Sequence, residues 1–197
     1  VQLNGASSYD QLNVIGTVAL YGAVLHVSLG FTPKVGQQFM LIKNDGTDAV
    51  DGTFNGYAEG DLVQSGDLAF RISYVGGTGN DVVLTRFSGT AVKEGVLYYF
   101  GTDDADSFDV KLLENAGVFE VTTKSGMNGR STVQQFNVAD LSQIRVYLGG
   151  GNDHACIDKN VHLDAIVDGG SGNDRLYGGT GNDRIEGGSG HDTMYGG

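Results

Sequence analysis

Three aspartates recur at nine-residue intervals near the C-terminal end of the chain: Asp174, Asp183 and Asp192. Each closes a glycine-rich hexapeptide, and the three consecutive units share the pattern G-G-x-G-x-D-x-U-x, in which U is large and apolar: Gly169–Tyr177, Gly178–Glu186 and Gly187–Tyr195. Carboxylate and carbonyl oxygens are the ligands of hard cations such as Ca²⁺, which takes about six to eight of them. Glycines allow the backbone to turn its carbonyl groups inward. The spacing therefore indicates an oxygen-lined site for a divalent cation.

The nine-residue period predicts how the units are arranged. Six residues form a bend and three form a short strand, so one unit makes half a turn of a flattened coil. Units eighteen residues apart then stack on the same edge, about 4.8 Å apart like neighbouring strands. This stacking brings the carboxylates of Asp174 and Asp192 together, where like charges repel unless they are neutralised. A calcium ion between the two carboxylates would remove the repulsion.

The nonapeptide resembles the calcium-binding repeat of RTX (hemolysin-type) proteins. The resemblance implies that Ca²⁺ is the cofactor and that the side chains of Asp174, Asp183 and Asp192 are ligands. It also implies that loop carbonyl groups complete each site, from these residues: Gly169, Gly170, Ser171, Gly172, Gly178, Gly179, Thr180, Gly181, Gly187, Gly188, Ser189 and Gly190.

Other loops follow the pattern less completely. Asp153 lies 21 residues before Asp174 in a related loop, and we predict that one longer coil makes it a further ligand. For Asp106 the loop lacks two glycines, and a surface turn is expected. The segment Gly76–Asp81 matches fully but has no partner eighteen residues away, so a structural turn is expected. The segment Asn44–Asp48 lacks the ligand spacing of a calcium loop, and a hairpin turn is expected.

The remainder of the chain alternates apolar and polar residues over short segments, for example Ala23–Leu29 and Phe70–Tyr74, which is typical of half-buried strands. Turn signals such as Asn128-Gly129 separate them. The predicted fold is all-β: a parallel β-solenoid (β-helix) that ends in a calcium-binding β-roll, with a β-sandwich-like module as the alternative for the N-terminal part. The predicted segments are a β-rich surface-protein module at 1–88, connecting coils with degenerate repeats at 89–145, and the β-roll at 146–197.

The N-terminal segment has a resemblance of its own. The phrases GTVALYGAVLHVSLGF, FMLIKNDGTDAVDGTF and FRISYVGGTGNDVVLT are similar to the module that closes autotransporter-type β-helical surface proteins and giant adhesins. The resemblance implies a secreted or surface-exposed β-solenoid of a Gram-negative-type bacterium.

Charge and composition narrow the partners. A net charge of −12 argues against nucleic acid and against anionic membrane surfaces. No apolar run reaches the length of a membrane-spanning helix, so membrane insertion is not expected. Cys156 is the only cysteine and lacks the partner cysteines of a zinc site. A buried, inert thiol is expected, with a cross-link to another chain as the alternative.

Function can be narrowed to a calcium-binding module rather than an enzyme. The sequence contains no G-x-S-x-G, H-E-x-x-H, P-loop or C-x-x-C motif, and the four histidines are expected to face solvent or to pack. Three interpretations remain: a structural module of an extracellular or cell-surface fibre, a calcium-dependent adhesin that binds a glycan or a surface, and the repeat tail of a secreted enzyme. The first is preferred.

The start at Val1 and the stop within a repeat at Gly197 indicate a piece of a longer protein. The expected partners are other copies of the chain or the rest of that protein, in a head-to-tail contact.

Overall fold

The protein is all-β. The computed structural model describes residues 1–126 and 129–197, and within these the only helical segment is a 3₁₀ turn at Val138–Asp140. The turn predicted at Asn128-Gly129 includes a residue outside the described ones. No helix in the described ranges has the length and apolar character needed to cross a membrane. The chain divides into two compact units, Val1–Phe87 and Ser88–Gly197, which we call the N-terminal unit and the C-terminal unit.

The N-terminal unit is built on a mixed five-stranded sheet. Its strands are β1 (Gln2–Leu3), β2 (Leu12–Val14), β3 (Ser28–Leu29), β4 (Gln38–Asn44), β5 (Leu62–Ser65), β6 (Leu68–Gly76) and β7 (Asp81–Phe87). The main sheet has the order β2-β4-β7-β6-β5, with β2 parallel to β4 and the other neighbours antiparallel, while β1 and β3 pair in parallel. Phe39 and Phe70 are fully buried and pack edge to face in its core.

Two sequence predictions fail in this unit. The strand predicted at Ala23–Leu29 is reduced to β3, and the preceding residues are irregular. The turn at Asn44–Asp48 exists but is not a hairpin, because within the described residues no strand follows it until β5. The side-chain amide of Asn80 donates to the carbonyl groups of Asp45 and Asp48 instead, so a side chain ties down this turn.

In its described residues, the C-terminal unit has eleven strands in two sheets. They are β8 (Gly89–Lys93), β9 (Val96–Phe100), β10 (Ser107–Leu113), β11 (Val118–Lys124), β12 (Ser131–Asn137), β13 (Gln143–Tyr147), β14 (His154–Ile157), β15 (Asp164–Asp168), β16 (Arg175–Tyr177), β17 (Arg184–Glu186) and β18 (Thr193–Tyr195). The first sheet has the order β8-β9-β13-β15-β17, and the second has the order β12-β11-β10-β14-β16-β18.

From β13 onward the chain alternates between the two sheets. Strands β9, β13, β15 and β17 are parallel neighbours in the first sheet, and β10, β14, β16 and β18 are parallel neighbours in the second. Strands β8, β11 and β12 pair antiparallel instead. Antiparallel strands therefore interrupt the coils predicted at 89–145, and the two predicted segments 89–145 and 146–197 both lie in the C-terminal unit.

The core of the C-terminal unit narrows toward its end. Strands β13, β14 and β15 each bury two side chains in it, whereas β16 buries one, Leu176. In β17 the corresponding Ile185 is only partly buried, and in β18 Met194 is 50% exposed. The last coils therefore draw little stability from apolar burial, which contributes about 1.5–3 kcal/mol per fully buried large side chain.

Cys156 is not the buried thiol that the sequence predicts. Side chains of a strand alternate between its two faces, and in β14 the inward positions belong to Ala155 and Ile157. Cys156 and His154 lie on the outer face and are half-buried.

Candidate metal centre

The glycine-rich loops of the C-terminal unit lie on two edges. What we call the first edge is where the chain passes from the first sheet to the second, through loops 101–106, 148–153, 169–174 and 187–192. The second edge is where it returns, through loops 158–163 and 178–183, and Gly197 lies against Gly179 on this edge. Loops 169–174 and 187–192 thus share an edge, as their spacing of eighteen residues predicts.

A ladder of aspartates runs along the first edge. The backbone N–H of Asp106 donates to Oδ1 of Asp153 at 2.7 Å, that of Asp153 to Oδ1 of Asp174 at 2.8 Å, and that of Asp174 to Oδ1 of Asp192 at 3.0 Å. Each aspartate is the last residue before a strand, so its N–H points along the sheet toward the next coil. One carboxylate oxygen per coil therefore joins that coil to its neighbour.

The second carboxylate oxygen has no such partner. Oδ2 of Asp153, Asp174 and Asp183 is buried and accepts no hydrogen bond from the residues that the structure describes. Asp153 is 3% exposed and Asp174 is 1% exposed. A buried, ionised oxygen without a donor is costly, and it is stabilised by a proton or by a cation.

The pKa values of these carboxyl groups are raised for the same reason, namely that a buried charge without a donor is unfavourable. Burial, together with the charges of Asp174 and Asp106, raises the pKa of Asp153 to about 7 despite its hydrogen bond from Asp106. Burial also raises the pKa of Asp174, with a further contribution from Asp192. The pKa of Asp183 is raised in the same way, by burial and then by Asp164. Without a cation, each of these groups binds its proton more tightly than an exposed aspartate does.

The unpaired carboxylate oxygen of Asp174 and one backbone oxygen of the next coil border the same space beside Gly169. A β-carbon added to Gly169 would lie 2.5 Å from Asp174 Oδ2 and 2.6 Å from the carbonyl oxygen of Gly187 in the next coil. A β-carbon on Gly178 would similarly lie 2.7 Å from Asp183 Oδ2. Glycine is required here because any side chain would occupy the space that these oxygens border. An oxygen-only set of this kind fits Ca²⁺.

The remaining predicted loop residues form close backbone stacks. Gly170 and Gly188 have φ near +87°, and Gly172 and Gly190 have φ of +133°. Ser171 bridges in parallel to Gly150 and to Ser189. A second ladder, which the motif analysis missed, runs beside the aspartates: Asn173 N–H donates to Asn152 Oδ1 at 2.8 Å, and His191 N–H donates to Asn173 Oδ1 at 2.9 Å. Its sequence signal is the asparagine that precedes Asp153 and Asp174.

The second edge is less regular. Oδ1 of Asp183 accepts from the N–H of Ala165 at 3.0 Å, so the ladder bond forms, but its donor is not an aspartate. Asp164 does not take the place of a ladder aspartate, because its Oδ1 accepts from the N–H of Asn182 at 2.9 Å. The facing loop 158–163 contains no glycine. Loop 178–181, which includes Thr180, therefore has one neighbour with the repeat sequence among the described residues, Gly197. The two backbones lie so close that a β-carbon added to Gly197 would overlap the carbonyl oxygen of Gly179.

Asp106 occupies the start of the ladder but differs from the others. Asp106 is buried, so the prediction of a turn at the surface is wrong for this residue. Its Oδ2 accepts from Thr102 N–H at 2.6 Å and from Thr102 Oγ1 at 2.9 Å, and its Oδ1 accepts from Gly126 N–H at 3.1 Å. Both oxygens are satisfied by the protein, so this loop does not need a cation.

The full motif match at Gly76–Asp81 is a turn between β6 and β7. Oδ1 of Asp81 accepts from Asn44 N–H, and Oδ2 accepts from Thr78 N–H, each at 2.8 Å. Burial acts to raise the pKa of Asp81, but the hydrogen bonds from Thr78 and Asn44 outweigh it and the pKa is lowered. The carboxylate is stable as an anion, in contrast to those of the first edge.

A pH dependence follows for the calcium-free protein. The folded carboxyl of Asp153 keeps its proton up to a pH of about 7, whereas the unfolded one loses it near 3.8. The folded state binds more protons between these values, so its stability falls as pH rises through this window. We expect the thermal midpoint of the C-terminal unit to be lower at about pH 8 than at about pH 5.5 in chelator.

The Asp153→Asn variant is the control for this prediction, because an amide keeps the acceptor for Asp106 but does not titrate. Thermal melts of both proteins, followed by circular dichroism in chelator, make the comparison. The same slope in the variant would show that Asp153 is not the source of the pH dependence.

Comparison with known proteins agrees with the geometry of the loops. Residues 168–197 match the profile of the RTX calcium-binding nonapeptide repeat, in four copies. No curated protein and no solved structure matches the chain. The resemblance of residues 1–88 to surface-protein modules stays a prediction, since the family match covers only the C-terminal residues. The C-terminal end of this chain carries calcium-binding repeats of the RTX type.

Proposed function

We propose that the C-terminal unit is a calcium-dependent β-roll, a parallel solenoid whose stacked loops are closed by Ca²⁺. The observation that supports it most is that the buried Oδ2 atoms of Asp153 and Asp174 at the first edge, and of Asp183 at the second edge, accept no hydrogen bond within the described residues. Alternation of parallel strands between two sheets supports the solenoid geometry.

At the first edge, the residues that would hold Ca²⁺ are Asp153, Asp174 and Asp192, with the carbonyl groups of loops 169–172 and 187–190. At the second edge, they are Asp183 and the carbonyl groups of loop 178–181. Bound Ca²⁺ would supply positive charge where the folded chain has placed ionised oxygens without donors. The chain itself contributes the aspartate ladder, which fixes each carboxylate through Oδ1, and the glycines, which leave room beside Oδ2.

The test compares Asp174→Asn with Asp106→Asn in calorimetric titrations with calcium. The amide at position 174 keeps an acceptor oxygen for the N–H of Asp153, and the amide at position 106 keeps one for the N–H of Gly126. Of the two native aspartates, only Asp174 has an unpaired Oδ2. We expect Asp174→Asn to lose one high-affinity ion, or to bind it at least about 10-fold more weakly, since one lost charge contact of about 1.4 kcal/mol already changes a dissociation constant tenfold.

Asp106→Asn is expected to bind the same number of ions as the unmodified chain, although it lowers stability with and without calcium. Equal calcium binding by all three proteins would contradict the proposed role of the unpaired oxygens. Circular dichroism of each variant in saturating calcium checks that the fold is retained.

The wider role that we propose is structural. RTX repeats are typical of secreted bacterial proteins, and a rigid calcium-loaded roll suits a fibre or a giant surface protein without catalysis of its own. A calcium-dependent adhesin is the second candidate, supported by Tyr195, which is 55% exposed and stacks on Tyr177 at 5.0 Å. Electron microscopy of the native source separates these two roles, because a fibre subunit must appear in fibres. A catalytic domain encoded upstream in the parent gene would indicate instead that the repeats are the tail of an enzyme.

A further inference from the structure

The outer face of the second sheet brings three metal-ligating side chains together. Asp109 of β10 lies opposite Cys156 of β14 in the parallel register, and His154 lies two residues before Cys156 on the same face. One carboxylate oxygen, one ring nitrogen and the Sγ atom all lie within 4.8 Å of one another. Asp109 is far in sequence from His154 and Cys156, and the pairing of two strands places the three side chains together.

The cluster is open to solvent and partly ordered. Oδ1 of Asp109 lies 3.5 Å from Nε2 of His154, and their side chains are 45% and 41% exposed. Ser107 Oγ donates to the other oxygen of Asp109 at 2.8 Å, which leaves Oδ1 directed at the imidazole. The ring of His154 packs edge-on against Tyr177, with centroids 5.9 Å apart. Outer contacts of this kind orient ligands in metal sites.

The surroundings also favour a cation. A cavity of about 310 Å³ borders Asp109 and Cys156 and is lined as well by Asp158, Glu120 and Lys111. Lys111 forms an ion pair with Glu120 at 2.8 Å, which leaves the charges of Asp109 and Asp158 beside the thiol. Burial and then these two carboxylates raise the pKa of Cys156, so a metal ion would displace the thiol proton to solvent as it binds.

The donor set determines the kind of ion. Ca²⁺ takes only oxygens, whereas thiolate and imidazole suit Zn²⁺ and similar divalent ions, for which tetrahedral sites with three protein ligands and one water are common. An ion pair between His154 and Asp109 alone would not require Cys156 as a neighbour. We propose that Asp109, His154 and Cys156 form a second metal site, for a borderline divalent cation such as Zn²⁺, with a fourth position open to water. This site is separate from the calcium loops.

Cobalt(II) is the probe for this site, because its bond to a thiolate gives a charge-transfer absorption in the near ultraviolet. The whole chain, reduced and saturated with calcium so that the loops are filled, is titrated with Co²⁺ and then with Zn²⁺. We expect one equivalent of Co²⁺ to produce the band, and Zn²⁺ to abolish it by displacement. Cys156 is the only cysteine, so the band reports on this thiol alone.

Variants locate the site. Cys156→Ser should remove the band, and His154→Ala and Asp109→Asn should each weaken Co²⁺ binding at least about 10-fold, since even outer-shell partners typically contribute about 10–100-fold. Ser107→Ala, which affects only the orientation of Asp109, should weaken binding less. His191→Ala is the matched control, because His191 is also exposed and also lies beside a repeat aspartate.

Three outcomes would overturn the proposal of a metal site at Cys156. These outcomes are the lack of a saturable band, equal binding by His154→Ala and His191→Ala, and loss of the band when calcium is raised further, which would mean that calcium displaces cobalt from Cys156 and that the site is not separate from calcium binding. Thermal melts of every variant in calcium verify folding, and Zn²⁺ should raise the melting midpoint of the unmodified chain but not that of Cys156→Ser.

Discussion

Removal of calcium is expected to abolish hydrogen-exchange protection across residues 169–197 while strands β6 and β7 of the N-terminal unit remain protected. The last coils bury one large side chain per strand at most, and Met194 is half exposed. Their loops are rich in glycine, which loses more conformational freedom on folding than any other residue. Repulsion among buried carboxylates adds to this cost when no cation is present.

The expected effect is large. One ion at about one hundred times its dissociation constant contributes about 2.7 kcal/mol, which corresponds to roughly 10 °C in the melting midpoint of a unit of this size. The measurement is hydrogen exchange of the whole chain by mass spectrometry, in calcium and in chelator. The N-terminal unit is the internal control, because its motif aspartate, Asp81, is satisfied by protein donors.

Magnesium at equal ionic strength is the second control, since Mg²⁺ requires shorter bonds of about 2.0–2.1 Å and a stricter octahedral geometry. Equal protection of residues 169–197 in calcium and in chelator would refute the dependence on calcium. Full protection in magnesium would indicate screening rather than a specific site.

The second large effect is expected from Gly172→Ala. Gly172 has φ of +133°, and a β-carbon there would overlap the carbonyl oxygen of Gly151 in the neighbouring coil. The obstacle is backbone and not a flexible side chain, so the coils must separate and the bond between Asp153 and Asp174 must break. We expect a loss above about 3 kcal/mol in calcium, the range of strained or clashing core substitutions.

Gly117→Ala separates the two causes. Gly117 lies in the same unit with φ of +64°, and a β-carbon there would contact nothing within 4 Å. Only the left-handed backbone is then penalised, at about 1–2 kcal/mol. Denaturant unfolding of both variants in saturating calcium gives the comparison. Equal losses would mean that the close approach of the coils does not limit stability.

The stacking of the repeats could be predicted from their period. Eighteen residues separate Leu176 from Met194 and Val167 from Ile185, and both pairs are register partners in parallel strands. The period works because each unit contains the same number of strand and bend residues. The predicted ligand Asp153, 21 residues before Asp174, also joins the ladder, because β14 and β15 are longer than β16 and β17.

The state of each carboxylate could not be predicted, because it depends on donors outside the motif. Asp81 and Asp174 end equally good matches, yet Thr78 and Asn44 satisfy the first, while Oδ2 of the second is buried without a described partner. Asp106 depends on Gly126, twenty residues away. The cluster of Asp109 with Cys156 requires β10 to pair directly with β14, although β11, β12 and β13 come between them in sequence, and no local pattern indicates this pairing.

The alternation of bends between two edges restricts how the chain can change in length. A deletion or insertion of nine residues would move every later loop to the opposite edge, so that aspartates would face loops that cannot pair with them. A change of eighteen residues keeps every loop on the same edge, because an added or removed segment of this length contains a complete set of inward side chains and carboxylates. Because each coil contacts mainly its immediate neighbours, such a change leaves the remaining core intact. Natural variants of this repeat region should therefore differ in length by whole coils and not by single nonapeptides.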